Sequence, residues 1–242
     1  MTLVSTSPDS ALIRSALNWW TLAGVDQLID EEPLGWLTRG KTVAPSQRED
    51  APVPLTVPKT HEALVAYLNT ADSLSEAGPV ARRITASGNP QADLAVVIDM
   101  PELNDHQAGY LISGDAGELF EKMLSALGLA RSDCYVLAIC PGRPAGGVLA
   151  ESALAQLGGL ARDHIAMTGA SRLWLMGQTV SRAILAMDFA QARGSLQNFN
   201  HNGQIKKAVV SFSPRMLLQS PGRKRAAWDD MQMLMAKDET EA

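Results

Sequence analysis

The stretch LAVVIDMPELNDHQAGYLISGDAGELFEKMLSALGLARSDCYVLAIC, residues 94 to 140, decides the fold. It opens on the unbroken apolar run Leu94 to Ile98 and closes on another, Tyr135 to Cys140. Short continuous apolar runs are what strands show when helices cover both faces of a parallel sheet. Between them Leu119, Phe120, Met123, Leu124 and Leu127 recur at helical spacing, and Gly128 supplies a left-handed stop. Strand, amphipathic helix and strand make one βα repeat.

The repeat continues outward from this stretch. Strands are expected at Leu94 to Asp99, Asp133 to Cys140, Arg172 to Met176 and Lys207 to Phe212. Helices are expected at Asp115 to Gly128, Val148 to Thr168, Gln178 to Met187 and Gly222 to Ala236. The fold class that follows is α/β, a three-layer sandwich with a central, mainly parallel four-stranded sheet. Asn202 followed by Gly203 adds a hairpin-type turn between the third of these helices and the fourth strand. A further helix signal covers His61 to Ser75 and closes near Gly78 and Pro79.

Upstream the pattern changes. Trp19, Trp20, Leu22, Val25, Leu28 and Ile29 make residues 1–39 an N-terminal amphipathic segment, and Pro45, Pro52, Pro54 and Pro58 make 40–58 a proline-rich linker. The domain proper is expected at 59–242. The whole chain's 46% hydrophobic content suits a sizeable core. No apolar run approaches the roughly 20 residues that cross a bilayer, and the polar start lacks a secretory pattern, so no membrane association and a cytoplasmic location are expected. Cys134 and Cys140 are the two cysteines and are expected to be buried thiols. A net charge of −5 has the wrong sign for gripping phosphate backbones through bulk electrostatics, so DNA contact must rest on a local patch.

Ligands at such sheets gather beyond the carboxyl ends of the strands, where Asp99 to Glu102, Pro141 to Pro144 and Ser213 to Arg215 fall. At these places the chain resembles the uracil-DNA glycosylase superfamily. GDAGELFEKMLSALGLARSDCYV, 114–136, is similar to GRAGQLLDRMLAAIGLDREDVYI of the iron-sulfur bacterial branch, and VVIDMP, 96–101, to the first catalytic motif, usually VGEAPG. LWLMGQTVSRAIL, 173–185, and SFSPRMLLQSPGRKRAAWDDMQ, 211–232, resemble a later strand-helix segment and the last motif. SALNWWTLAGVDQLIDEEP, 15–33, resembles the N-terminal extension of some bacterial members.

The resemblance implies uracil excision from DNA: a base flipped into a pocket, stacked on a ring and read along its edge. It also implies which groups are missing here. The first motif keeps only Asp99 and Pro101 in kind. The ring of the family's GRPFVG loop is replaced by Ile112, the edge-reading asparagine by Ala138 and the histidine of the last motif by Ser213. A cluster cysteine is replaced by Gly142 and no N-terminal CxxC exists, so no cofactor is expected, the iron-sulfur ligands being absent. No catalytic residue is expected to function at these positions.

Each remaining candidate has a plain structural counterpart. Asp99 fits a turn cap better than a group orienting water. His61, His106, His164 and His201 show no metal-ligand spacing, and His164 is expected at a helix end facing the dipole, so no metal site is expected. Arg215, Arg223 and Lys224 are candidate DNA-contact positions or a solvated helix start. Gly142 to Gly147 lacks the lysine and hydroxyl of a phosphate-binding loop and reads as a plain loop. Trp19, Trp20 and Trp36 are candidate partner anchors or an intramolecular clasp. The expectation is a degenerate, non-enzymatic binding component with replication or repair proteins as partners. AGVDQL, MPEL and SPRMLLQSPGRKRAAW resemble the psi subunits of the DNA polymerase III clamp loader, which implies clamp-loader subunits among those partners. Against this stand a divergent glycosylase using Asp99 and Tyr110, and a single-strand DNA binder.

Overall fold

The computed structural model describes residues 58–235 and, ahead of them, Ser15 alone. The expected N-terminal segment and linker, with Trp19, Trp20 and Trp36, otherwise lie outside the described residues.

Six strands form one sheet: β1 (Ala86–Gly88), β2 (Leu94–Ile98), β3 (Cys134–Ala138), β4 (Arg172–Met176), β5 (Gln197–His201) and β6 (Gln204–Ser211), in the order β1-β3-β2-β4-β6-β5. The four central strands are parallel, and β1 and β5 pair antiparallel at the edges. The expected four strands are the parallel centre, so the sheet is corrected from four strands to six. Both additions escape the apolar-run signal: β1 is the short ASG, and β5 is QNFNH with one buried residue, Phe199. The Asn202–Gly203 turn joins β5 to β6, both residues having positive φ, 51° and 76°. Two left-handed residues in succession make the turn whose twist matches a hairpin.

Helices α1 (His61–Thr70), α2 (Asp105–Ala108), α3 (Gly114–Ala126), α4 (Glu151–Ala166), α5 (Gln178–Leu185), α6 (Phe189–Ala192), α7 (Pro214–Gln219) and α8 (Lys224–Met235) complete the described elements. Strand residues alternate between two cores. Ala95, Val97, Leu137, Leu173, Leu175 and Val210 pack with α1, α4 and α5. Val96, Ile98, Val136, Trp174, Met176 and Val209 pack with α3, α7 and α8. Three layers result, and both faces of the sheet lose contact with water. The stripe on α3 is central, since Phe120 and Leu124 are wholly buried and Phe120 packs 6.1 Å from the Trp174 ring. Burial of side chains of this size contributes about 2 kcal/mol each.

The crossover helix α3 lies on one face, whereas α4 and α5, which lead to β4 and towards β6, lie on the other. The chain thus winds away from β2 in both directions. That reversal opens a crevice at the carboxyl end of β2, where the first motif emerges.

Candidate functional site

Asp99 is the first residue beyond β2, and its Oδ1 accepts the Met100 N–H at 2.9 Å, a local turn cap. The same carboxylate has a second partner. Ser213 and Pro214 turn the chain from β6 into α7, and the next residue, Arg215, reaches back across the crevice. Its Nη2 lies 3.0 Å from Asp99 Oδ2 and its Nη1 lies 3.4 Å from Glu102 Oε1. The first and last motifs are therefore joined by one guanidinium between two carboxylates. Burial pushes the Glu102 carboxyl up from its ordinary value, against the pull of Arg215, and Asp105 adds to the rise. Burial works against the charged Arg215, but Asp99 and Glu102 outweigh it and raise its pKa.

A buried carboxylate holds the loop that follows. Asp105, wholly buried, accepts the backbone N–H groups of Glu102 at 2.8 Å, Ile112 at 2.9 Å and Ser113 at 2.7 Å. From the other side Arg131 donates to the carbonyls of Leu111 and Ile112, both at 2.8 Å. Ile112 is thereby fixed at φ 57°, which β-branched residues rarely adopt. Gly117 lies beneath it, where an added Cβ would meet the Ile112 carbonyl oxygen at 2.6 Å. Arg131 also stacks over Tyr110, 4.9 Å from the ring centre, and Tyr110 is exposed.

Ile112 and Ala138 are both 2% exposed and belong to one apolar cluster with Ile98, Met176 and Phe212. Ser213 caps α7, its Oγ accepting the Met216 N–H at 3.3 Å. Pro101 is buried, and its carbonyl accepts from Arg143 at 3.1 Å. Of the expected positions, the fold thus gathers Ile112 with Ala138 in a hydrocarbon cluster and Asp99 with Arg215 in an ion pair. Beside them a cavity of about 490 Å³ is lined by Arg82, Pro101, Glu102, Leu103, His106 and Arg143. Its lining mixes the charged Arg82, Glu102 and Arg143 with apolar Pro101 and Leu103 and the imidazole of His106.

The candidate DNA contacts are scattered in role. Arg215 is engaged by the two carboxylates, the Arg223 guanidinium lies 5.3 Å from the centre of the Phe212 ring, and Lys224 starts α8 beside an apolar groove with Trp228 and Met231. Asp105 and Arg131 were not legible as site residues. An aspartate among polar loop residues has no signature, because its burial arises only when distant segments close over it.

The two thiols do not fit an iron-sulfur cluster. Cys134 and Cys140 lie six positions apart and belong to opposite cores. Burial pushes each thiol up to about 11. Among the described residues no group of three or more His, Cys, Asp or Glu converges as for a metal. His164 lies at a helix end as expected, in the last turn of α4, but not in the expected role: it is wholly buried, and burial pushes it down to about 4, so it carries no charge to offer the dipole at neutral pH. No described helix is long and apolar enough to cross a membrane.

No curated protein matches the chain. The family model of the uracil DNA glycosylase superfamily matches residues 85–232. That span runs from the edge strand β1 through α8's Gln232 and includes Asp99, Ile112, Ala138, Ser213 and Arg215. Since the match covers more than half of the chain and every strand of the sheet, the chain belongs to the uracil DNA glycosylase superfamily.

Proposed function

We propose that this chain is a catalytically degenerate superfamily member that serves as a non-enzymatic binding component in DNA replication or repair. The observation that carries the reading is the bridge from Arg215 to Asp99 and Glu102. Cleaving a glycosidic bond leaves negative charge on the departing base, and catalysis needs donors aimed at that charge. Here the last motif presents a serine whose hydroxyl caps a helix and an arginine neutralised by two carboxylates. Ala138 offers no group to read a base edge, and Ile112 offers no ring to stack on. Losses of this kind each remove orders of magnitude in rate, and together they leave a scaffold for binding.

A psi-like clamp-loader subunit is the finer form of the proposal, supported by the similarity at AGVDQL, MPEL and SPRMLLQSPGRKRAAW. The competing reading, a divergent glycosylase for uracil or another damaged base, draws on the Asp99 side chain remaining 21% exposed at a strand end. Capture of the tagged full-length chain from its own cells, with partners identified by mass spectrometry, tests the binding role. Replication or repair subunits, with clamp-loader proteins foremost, are expected with the full chain and are expected to be lost when residues 1–39 are deleted. Recovery of no such protein contradicts the proposal.

A further inference from the structure

Three polar side chains from three elements converge in the core at the opposite end of β3 from Ala138. His61 opens α1, Tyr135 is the second residue of β3, and His164 lies near the end of α4. The Tyr135 hydroxyl is 2.8 Å from His61 Nε2 and 2.9 Å from His164 Nε2, and the two nitrogens are 3.3 Å apart. His164 and Tyr135 are buried, and His61 is half-buried at the rim.

Hydrogen bonds can run through this triangle only as a chain, one Nε2–H donating to the Tyr135 hydroxyl and that hydroxyl donating to the other Nε2. An imidazole nitrogen carries either a proton or a lone pair, never both, so a closed ring of three donors and acceptors is excluded and the Nε2–Nε2 edge is left open. At most two of the three contacts hold a proton facing a free lone pair. In either tautomer the buried Nδ1 of His164 also has no partner among the described residues.

A single cation would engage all three atoms at once, the Nε2–Nε2 edge included. The three separations close a triangle small enough for one ion to lie about 2 Å from every corner, the ordinary zinc–nitrogen and zinc–oxygen bond length. The imidazole ring centres are 5.1 Å apart and tilted by 55°, with the Nε2 atoms nearer to each other than the centres. We propose that His61, Tyr135 and His164 form a binding site for a zinc-like divalent ion, with solvent completing the shell on the His61 side.

The electrostatics suit this occupant. Burial pushes His164 down to about 4 and lowers His61 as well, so both rings are neutral at pH 7, the form in which imidazole binds metal. Burial raises the Tyr135 phenol, and a bound dication works in the opposite sense by favouring loss of its proton. The ion would staple α1 to β3 and α4. It would do so without touching Asp99, Ala138 or Arg215, so this proposal stands whether or not the chain is an enzyme.

Full-length protein stripped with a chelator and titrated with Zn²⁺ by calorimetry tests the site, with Co²⁺ as the spectroscopic probe. One equivalent is expected to bind saturably, and Co²⁺ is expected to give the visible bands of a four-coordinate ion. His61→Ala, at a half-buried first-turn position, should keep the native circular dichroism and weaken binding about 100-fold or more. Tyr135→Phe should weaken it about 10-fold and shift the Co²⁺ bands. A folded wild-type protein that takes up no stoichiometric ion overturns the proposal, as does binding that is undiminished by His61→Ala or a Tyr135→Phe variant with unaltered affinity and spectrum.

Discussion

Ile112 holds a conformation that costs an L-residue about 1–2 kcal/mol, and the charges around it explain how the cost is met. Asp105 accepts its N–H and Arg131 donates to its carbonyl, so both ends of the residue are held. Asp105 also takes up the N–H groups of Glu102 and Ser113, which have no other acceptor at that turn. Asp105→Ala would leave three donors without it, and buried donors deprived of a charged acceptor cost about 1–3 kcal/mol each. Relief of the buried charge offsets part of this. A net loss of about 3 kcal/mol is expected, read as a lower urea midpoint at unchanged m, with Asp105→Asn recovering a part. The identities at Ile112, Ala138 and Ser213 were legible in the sequence, where the resemblance implies that each lacks the functional group expected at its position. The ion pair that joins Asp99 to Arg215 was not, because residues 116 positions apart meet only through the sheet order.

The four parallel strands and the longer helices around them were legible because each carries its own periodicity, continuous apolar runs for β2, β3, β4 and β6 and a stripe for α3, whereas the short helices α2, α6 and α7 were not. Element ends moved by a few residues, as with α4, which spans Glu151–Ala166 inside the wider expected segment. His164 shows why position along a helix is a poor guide to charge. It lies in the last turn of α4 but faces the core, where its Nε2 meets Tyr135. Unfolded, an imidazole takes up a proton near pH 6.5, whereas buried His164 does so only near pH 4. Above 6.5 both states are neutral and the stability is full. As the pH falls from 6.5 to 4 the unfolded chain gains a proton that the native state refuses, so stability falls with a slope approaching 1.4 kcal/mol per pH unit, about 3 kcal/mol in all. Urea unfolding of chelator-treated protein over this range checks it. His164→Gln, which keeps a partner for Tyr135, is expected to flatten the slope; an unchanged slope would assign it to other groups.

At the scale of the whole molecule, the proposed loss of catalysis leaves the scaffold intact. The scaffold needs only apolar periodicity, and the superfamily match over residues 85–232 spans every strand of the sheet. The chemistry needs particular groups at a few strand ends, and there the chain presents a hydrocarbon cluster, a helix cap and an internally neutralised arginine. A net charge of −5 adds no general attraction for DNA. A crevice built this way is expected not to stabilise a departing base. Single-stranded and duplex oligonucleotides with one uracil, incubated with excess full-length protein and then treated to cleave abasic sites, check this. No cleavage above a protein-free control is expected; product that accumulates with time and disappears in Asp99→Asn would show that the crevice is catalytic.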